Sequence, residues 1–181
     1  MRFDITFHTP FRISTGAAGR GVDAAIDLDD PLPGSSLKGV MVASAVGLLG
    51  RSPLVDEIFG TSRRASPWSW SAADVPAEAR AVLVRAAVQL DHATGTATKG
   101  GLRFGEVVDT PVATFDVDPL VRLDGDVRHR HETVLLLAAH ATHALGSSRR
   151  RGLGWVGIAG SDPLLDDDRL GEVHELLGSE P

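Results

Sequence analysis

Two glycine-rich, basic loops carry the residues of this chain that are best suited to chemistry. The first loop, residues 33–39, reads PGSSLKG and runs directly into an apolar segment. The second loop, residues 146–154, reads GSSRRRGLG and follows another apolar segment. Bare backbone N–H groups, hydroxyls and cations are the groups that hold phosphates, above all at the start of a helix. The two loops therefore predict a site that reads the backbone of a nucleic acid.

The predicted contacts come from the two loops and from a glycine-rich middle segment. They are Gly34, Ser35, Ser36 and Lys38; Gly146, Ser147, Ser148, Arg149, Arg150, Arg151 and Gly152; and Lys99 and Arg103. Simpler interpretations stay open for each loop. The first loop is also the start of an ordinary capped helix, with Ser35 or Ser36 as the N-cap. A run of like charges, as in the second loop, is usually a solvated face.

An acylating enzyme is a weaker alternative for the first loop. Residues 35–38 match the Ser-x-x-Lys pair of penicillin-binding enzymes, but their companion SDN and KTG motifs are absent from the chain. The first loop therefore favours anion binding over acyl transfer.

Charge is distributed unevenly along the 181 residues. The net charge is −6, and residues 162–181 carry seven acids and one arginine, so the remaining chain is neutral. Sixteen of its 18 bases are arginines, the side chain whose planar fork matches phosphate geometry. The chain has no cysteine and no apolar run long enough to span a membrane, so we expect a cytoplasmic protein.

The hydrophobic pattern predicts a mixed α+β domain. Residues 2–8 alternate as a half-buried strand, and residues 35–49 and 129–145 are typical of helices. Residues 76–90 fit either a helix or a helix followed by a strand, residues 94–110 a protruding hairpin, and residues 153–159 a short strand. This order predicts a ferredoxin-like layer. The predicted domains are residues 1–160 and an acidic, helical tail at 161–181.

Several of these motifs together resemble the RAMP superfamily. The residues that carry the resemblance are PGSSLKG at 33–39, IFGTS at 58–62 and GSSRRRGLG at 146–154, and the likeness covers most of residues 1–160. Within that superfamily, the chain resembles the backbone subunits of type III CRISPR effector complexes, which polymerise along a guide RNA. The resemblance implies an RRM-like, ferredoxin-like fold with an inserted thumb at about 94–110. It also implies three kinds of partner: crRNA with its complementary target RNA, further copies of the chain or related RAMP subunits, and other type III effector subunits.

The resemblance also implies a catalytic acid. In that family an acidic residue between the first strand and the PGSSLKG box cleaves target RNA with a divalent metal, and Asp23 fits the position best. A carboxylate beside RNA can hold Mg²⁺ or orient the 2′-hydroxyl for attack on the phosphate. Asp27, Asp29 and Asp30 are nearby alternatives, and a solvated turn acid is the simplest one. We therefore expect an Mg²⁺-dependent endoribonuclease with Asp23 as both metal ligand and catalytic residue.

Other interpretations remain open. A non-catalytic backbone or cap subunit would share every feature except the acid, and a generic RNA-binding module would share the loops. A RAMP-type guide-processing nuclease would need a histidine base, for which His8, His92 and His131 are available. His140 and His143, three residues apart, predict a shared metal only if a further ligand joins them.

Overall fold

The computed structural model describes residues 1–16, 18–19 and 21–178. Six strands and four α-helices, with short 3₁₀ turns at Ala77–Ala79 and Arg149–Arg151, follow one another along this part of the chain. They are β1 (Arg2–Phe7), α1 (Gly34–Leu49), α2 (Pro53–Phe59), β2 (Trp68–Trp70), β3 (Ala81–Leu90), β4 (Ala97–Asp109), β5 (Val112–Pro119), α3 (Gly125–His140), β6 (Val156–Asp162) and α4 (Asp167–Gly178).

The main sheet has the order β2-β5-β1-β6, and each neighbouring pair is antiparallel. If α1 and α3 are taken as the two crossover helices, this is the strand order of a ferredoxin-like layer. The α+β, ferredoxin-like prediction is therefore confirmed. Phe3 and Ile5 alternate with exposed residues along β1 because successive side chains of a strand point to opposite faces.

The core lies between this sheet and the two crossover helices. Phe3 stacks on Phe115 of the adjacent strand with ring centroids 5.0 Å apart, and both are buried. Leu37 and Met41 bury one stripe of α1, and α3 contributes a longer buried run at 131–136. Arg2, Asp4 and Thr6, on the opposite face of β1, are exposed, so among the described residues the sheet has one packed face and one open face.

A two-stranded hairpin of β3 and β4 projects from the main sheet. It begins at Ala81, earlier than the segment 94–110 that we predicted as the protrusion. The helical alternative for residues 76–90 is wrong apart from the single 3₁₀ turn. Every residue of β3 is exposed, so its apolar side chains belong to a free ribbon rather than to the core.

The acidic C-terminal segment forms a helix that packs against α3. Arg169 is 8% exposed and donates to Glu132 Oε2 at 3.1 Å and to Thr133 Oγ1 at 3.2 Å. Glu172 accepts from Thr133 Oγ1 at 3.0 Å and lies 2.8 Å from His129 Nε2. The tail predicted at 161–181 is thus helical from 167 to 178, and residues 179–181 lie outside the described part. No helix in the described ranges is both long and apolar enough to cross a membrane.

Candidate nucleic-acid interface

A groove separates the projecting hairpin from the body of the domain and encloses about 1390 Å³. The body contributes the segments around residues 12 and 23 and the second glycine-rich loop, while the hairpin contributes both of its strands. The polar and aromatic lining residues are Arg12, Asp23, Arg85, Gln89, His92, Arg103, Phe104, Ser148 and Arg151.

The groove lining is strongly cationic. Four arginines at positions 12, 85, 103 and 151 face a single carboxylate, Asp23. Arg85, Arg103 and Arg151 are exposed, so their guanidinium groups are available to an anion in the groove. This imbalance favours a polyanion as the occupant.

The second glycine-rich loop folds into a tight cationic turn. Ser148 and Gly152, at φ of +62° and +76°, are in the left-handed conformation and bracket the 3₁₀ turn Arg149–Arg151. Ser148 is the single non-glycine residue with positive φ in the described ranges. A non-glycine residue in this conformation is strained, so the surrounding contacts must hold it in place. In the described part of the chain, none of these three arginines pairs with a carboxylate. Of these three arginines, Arg151 lines the groove.

Arg12 fixes this loop to the body, a role that sequence reasoning missed. Its Nε donates to Ser147 Oγ and its Nη2 to Ser148 Oγ, both at 3.1 Å, and its carbonyl accepts from the Ser147 amide at 2.8 Å. Gly146 has a φ of +77°, and a Cβ at this position would collide with the Arg12 carbonyl. The only sequence signal was the placement of Arg12 between the apolar Phe11 and Ile13.

Asp23 lies on the groove wall, against the base of the hairpin. Its Oδ2 accepts a 2.7 Å hydrogen bond from the Phe104 amide, and its own amide donates to the Phe104 carbonyl at 2.8 Å. The residue is exposed. Of the acids considered for catalysis, Asp23 lines the groove, whereas Asp27 accepts hydrogen bonds from the amides of Asp29 and Asp30 in a separate turn.

The first glycine-rich loop packs against β2 and does not line the groove. Helix α1 starts at Gly34, and its N-cap is Pro33 without a side-chain hydrogen bond, so the predicted serine cap is wrong. The amides of Ser36 and Leu37 bond to the Pro33 carbonyl instead, at 3.0 and 3.2 Å. Ser35 is exposed and Ser36 half-buried at the start of this helix.

Glycine at position 34 has a packing cause. A Cβ there would lie 2.6 Å from the Ser71 carbonyl oxygen, so only glycine lets α1 approach the sheet this closely. Lys38 Nζ lies 5.0 Å from the centroid of the Trp70 ring, a cation–π contact, and burial lowers its pKa. The two glycine-rich loops therefore occupy different places, one beside β2 and one beside β6.

The remaining predicted contacts lie on the hairpin. Lys99 is exposed near the tip, outside the groove lining, whereas Arg103 lines the groove. Arg103 Nη1 donates to the carbonyls of Gly100 and Leu102, at 2.9 and 3.1 Å, which holds its guanidinium along β4. Phe104, half-exposed beside Asp23, is a further groove residue that the sequence analysis did not single out.

The histidines occupy separate environments. His92 lines the groove, His8 packs edge-on against the exposed Trp155, and His131 is buried at 1% exposure. A buried ring of this kind cannot reach an RNA substrate. Helix α3 ends at His140, so His140 and His143 do not share a helix. No three metal-ligating side chains converge anywhere in the residues that the structure describes.

One protein-family model matches most of the chain. The model of the RAMP superfamily matches residues 4–157. The chain belongs to the RAMP superfamily. A search of curated proteins finds no significant match.

Solved structures with the same fold as this RAMP chain include two from type III-B Cmr-beta complexes. One comes from the cryo-EM structure of the apo state, with a TM-score of 0.67 and 10% identity over 90% of this chain and 97% of that chain. The other comes from the complex bound to cognate target RNA, with a TM-score of 0.70 and 10% identity over 87% and 95% of the two chains. At this identity the likeness establishes the shared RAMP fold.

Proposed function

We propose that this chain is a guide-RNA-binding backbone subunit of a type III CRISPR ribonucleoprotein. The observation that carries the proposal is the cationic groove between the hairpin and the body, with four arginines facing one carboxylate. Two solved chains with this fold belong to Cmr-beta complexes, one of them bound to cognate target RNA. The partners in this proposal are a crRNA, its complementary target RNA, further RAMP subunits and other type III effector subunits.

In this proposal the protein reads RNA phosphates and shape, and guide pairing supplies the sequence specificity. Arg151 and Arg103 contact phosphates from opposite walls of the groove. Ser148 lines the groove beside Arg151, and Arg149, Arg150 and Ser147 extend the cationic turn beyond it. Gly146 and Gly152 allow the turn that presents these side chains. At the start of α1, Gly34, Ser35, Ser36 and Lys38 form a second contact, where the helix N-terminus favours an anion. Lys99 contacts RNA at the tip of the hairpin.

We further propose that Asp23 cleaves the target RNA with a bound Mg²⁺. One Asp23 oxygen, Oδ2, accepts the Phe104 amide, and within the described residues no hydrogen bond or ion pair occupies Oδ1. A single carboxylate together with substrate phosphates is a common way to bind Mg²⁺, so the residues present are compatible with the ion. When bound, the ion would stabilise charge on the phosphate that is attacked. Asp23 would hold it, while Arg12 and Arg151 orient the RNA strand in the groove.

A non-catalytic backbone or cap subunit is the second candidate. The bond from the Phe104 amide to Asp23 Oδ2 favours it, because this contact gives the carboxylate a structural use that needs no catalysis. A generic RNA-binding module would use the same groove without a guide of fixed length.

Assembly with a guide RNA tests these functions. The complex is purified through this chain, its RNA is sequenced, and cleavage of a complementary RNA in Mg²⁺ is measured for wild type, Asp23→Asn and Asp29→Asn. We expect co-purified guides of fixed 5′ end and regularly spaced cuts that are lost only in Asp23→Asn while target binding persists. Equal cutting by all three proteins would exclude Asp23 as the catalytic residue. Absence of any guide RNA would overturn the CRISPR function.

A further inference from the structure

The hairpin is joined to the body through a reciprocal backbone pair between Phe11 and Val108, at 2.8 and 2.9 Å, and through a further set of hydrogen bonds centred on Phe104. Phe104 donates its amide to Asp23 Oδ2 at 2.7 Å, and its carbonyl accepts from the amides of Asp23 and Ala24 at 2.8 and 3.3 Å. Glu106, two residues further along β4, donates its amide to the Ala24 carbonyl at 3.0 Å. A short stretch of the 22–26 segment thus pairs with β4.

These bonds use the free edge of β4. Phe104 lies opposite Ala86 of β3, but both of its backbone polar groups face Asp23. Antiparallel strands bond only through alternate residue pairs, so Phe104 occupies a position at which β3 offers no partner. The carboxylate of Asp23 therefore satisfies an amide that the hairpin itself leaves unpaired.

Arg12 adds a second link one residue away. The Arg12 guanidinium crosses Gly105 so closely that a Cβ at Gly105 would collide with Nη1. The same guanidinium donates to Ser147 Oγ and Ser148 Oγ at 3.1 Å. The hairpin base, the Asp23 segment and the cationic loop therefore meet at one junction.

We infer that Asp23 is a positioning residue whose Oδ2 anchors the hairpin to the body and so sets the width of the groove. This role depends on an accepting oxygen and not on a negative charge. It is separate from the proposed cleavage, and it rests on the proposed function only for its RNA readout. Asparagine at position 23 preserves an accepting oxygen, whereas alanine removes it, and this difference makes the role testable.

Amide hydrogen exchange of the full chain, followed by NMR, tests the anchor directly. Asp23→Ala should speed exchange at the Phe104 amide by about tenfold, while Asp23→Asn should change it by less than about threefold, because a neutral acceptor still forms the bond. The matched control is Asp29→Ala. This substitution removes an exposed carboxylate that makes no hydrogen bond or ion pair within the described residues. The Ile5 amide, in the core strand β1, reports whether each variant remains folded.

Affinity for a single-stranded RNA gives the second readout. Asp23→Ala should weaken binding several-fold by loosening the groove, and Asp23→Asn should restore it to the wild-type value. Unchanged Phe104 exchange in a folded Asp23→Ala variant would overturn the inference. Equal loss of protection in Asp23→Asn and Asp23→Ala would overturn it as well, because charge alone would then matter. Continued target cleavage by Asp23→Asn with Phe104 still protected would refute the catalytic role of Asp23 and support the anchor.

Discussion

Trp68 Nε1 donates a 3.2 Å hydrogen bond to Nδ1 of His131, joining the edge strand β2 to helix α3 inside the core. Nδ1 of His131 must carry no proton to accept this bond. Its other nitrogen, Nε2, has no hydrogen-bond partner among the described residues and lies 3.9 Å from Glu57 Oε1. Burial lowers the pKa of His131, and the nearby Glu57 opposes that shift only in part.

This pair predicts a loss of stability in mild acid. Because the pKa of His131 is lower in the folded chain than in the unfolded chain, the unfolded state binds a proton first as the pH falls below about 6.5. The contribution is complete above that pH and declines below it, so the melting temperature should fall between pH 7.5 and pH 5. Thermal unfolding followed by circular dichroism measures this dependence.

The control for the acid prediction is a pair of histidine variants. His131→Gln retains an acceptor for Trp68 and should flatten the pH dependence, whereas His143→Gln, at an exposed position, should leave it unchanged. An identical pH profile in wild type and His131→Gln would contradict the assignment.

Two glycines of α1 should respond in opposite ways to alanine. Gly34→Ala places a Cβ 2.6 Å from the Ser71 carbonyl oxygen, so we expect it to separate α1 from β2 and lower the free energy of unfolding by about 1–3 kcal/mol. Gly39→Ala meets no atom within 4 Å and should stabilise the helix by up to about 1 kcal/mol. Urea unfolding of both variants measures the difference. Similar midpoints would mean that the helix tolerates a side chain at position 34.

Arg151 should contribute one phosphate contact to RNA binding. Arg151→Gln removes a cation from the groove wall, so affinity for single-stranded RNA should fall and the slope of log K against log salt should decrease by about 0.7. Fluorescence anisotropy across a salt series gives both quantities. Arg51→Gln changes an exposed arginine outside the groove and is the matched control; an equal effect of the two substitutions would point to net charge alone.

Arg169 should hold α4 against α3. Among the described residues, Arg169→Met leaves Glu132 with the bond from Arg128 Nε, at 2.8 Å, and removes the bond to Thr133. We expect faster amide exchange at Val173 and a loss of about 1–3 kcal/mol in the free energy of unfolding. Arg130→Met, on the exposed side of α3, provides the comparison. Val173 protection that survives Arg169→Met would show that apolar packing alone docks the helix.

Local sequence patterns predicted the layer but not the groove. Period-2 alternation identified β1, and the apolar segment at 35–49 identified α1, because both signals act within a few residues. Strand β3 was not predicted over its full length because every residue of its run AVLVRAAVQL is exposed. The run therefore lacks the alternation of apolar and polar residues that a half-buried strand shows. The ring contact between Lys38 and Trp70 also depends on residues 32 positions apart, which spacing alone does not reveal.

The candidate site depended even more on distant contacts. Asp23 followed from the family resemblance, but its bond to Phe104 joins residues 81 positions apart in the chain. Arg12 reaches serines 135 and 136 positions away. These contacts exist only because the hairpin returns to the body at Gly105, a packing outcome that no local pattern encodes.

The hairpin extends well beyond its attachment at Phe104, so a small rotation there moves the far turn. Phe104 lies opposite Ala86, so at about 3.3 Å per residue the remaining part of β3, Ala86–Leu90, extends roughly 15 Å from it toward the turn. A tilt of about 10° at Phe104 would then move the far end of this strand by roughly 3 Å. A small change in the angle of the hairpin at Phe104 is therefore amplified toward its far turn. The stiffness of this attachment determines how accurately the turn is positioned against a neighbouring molecule.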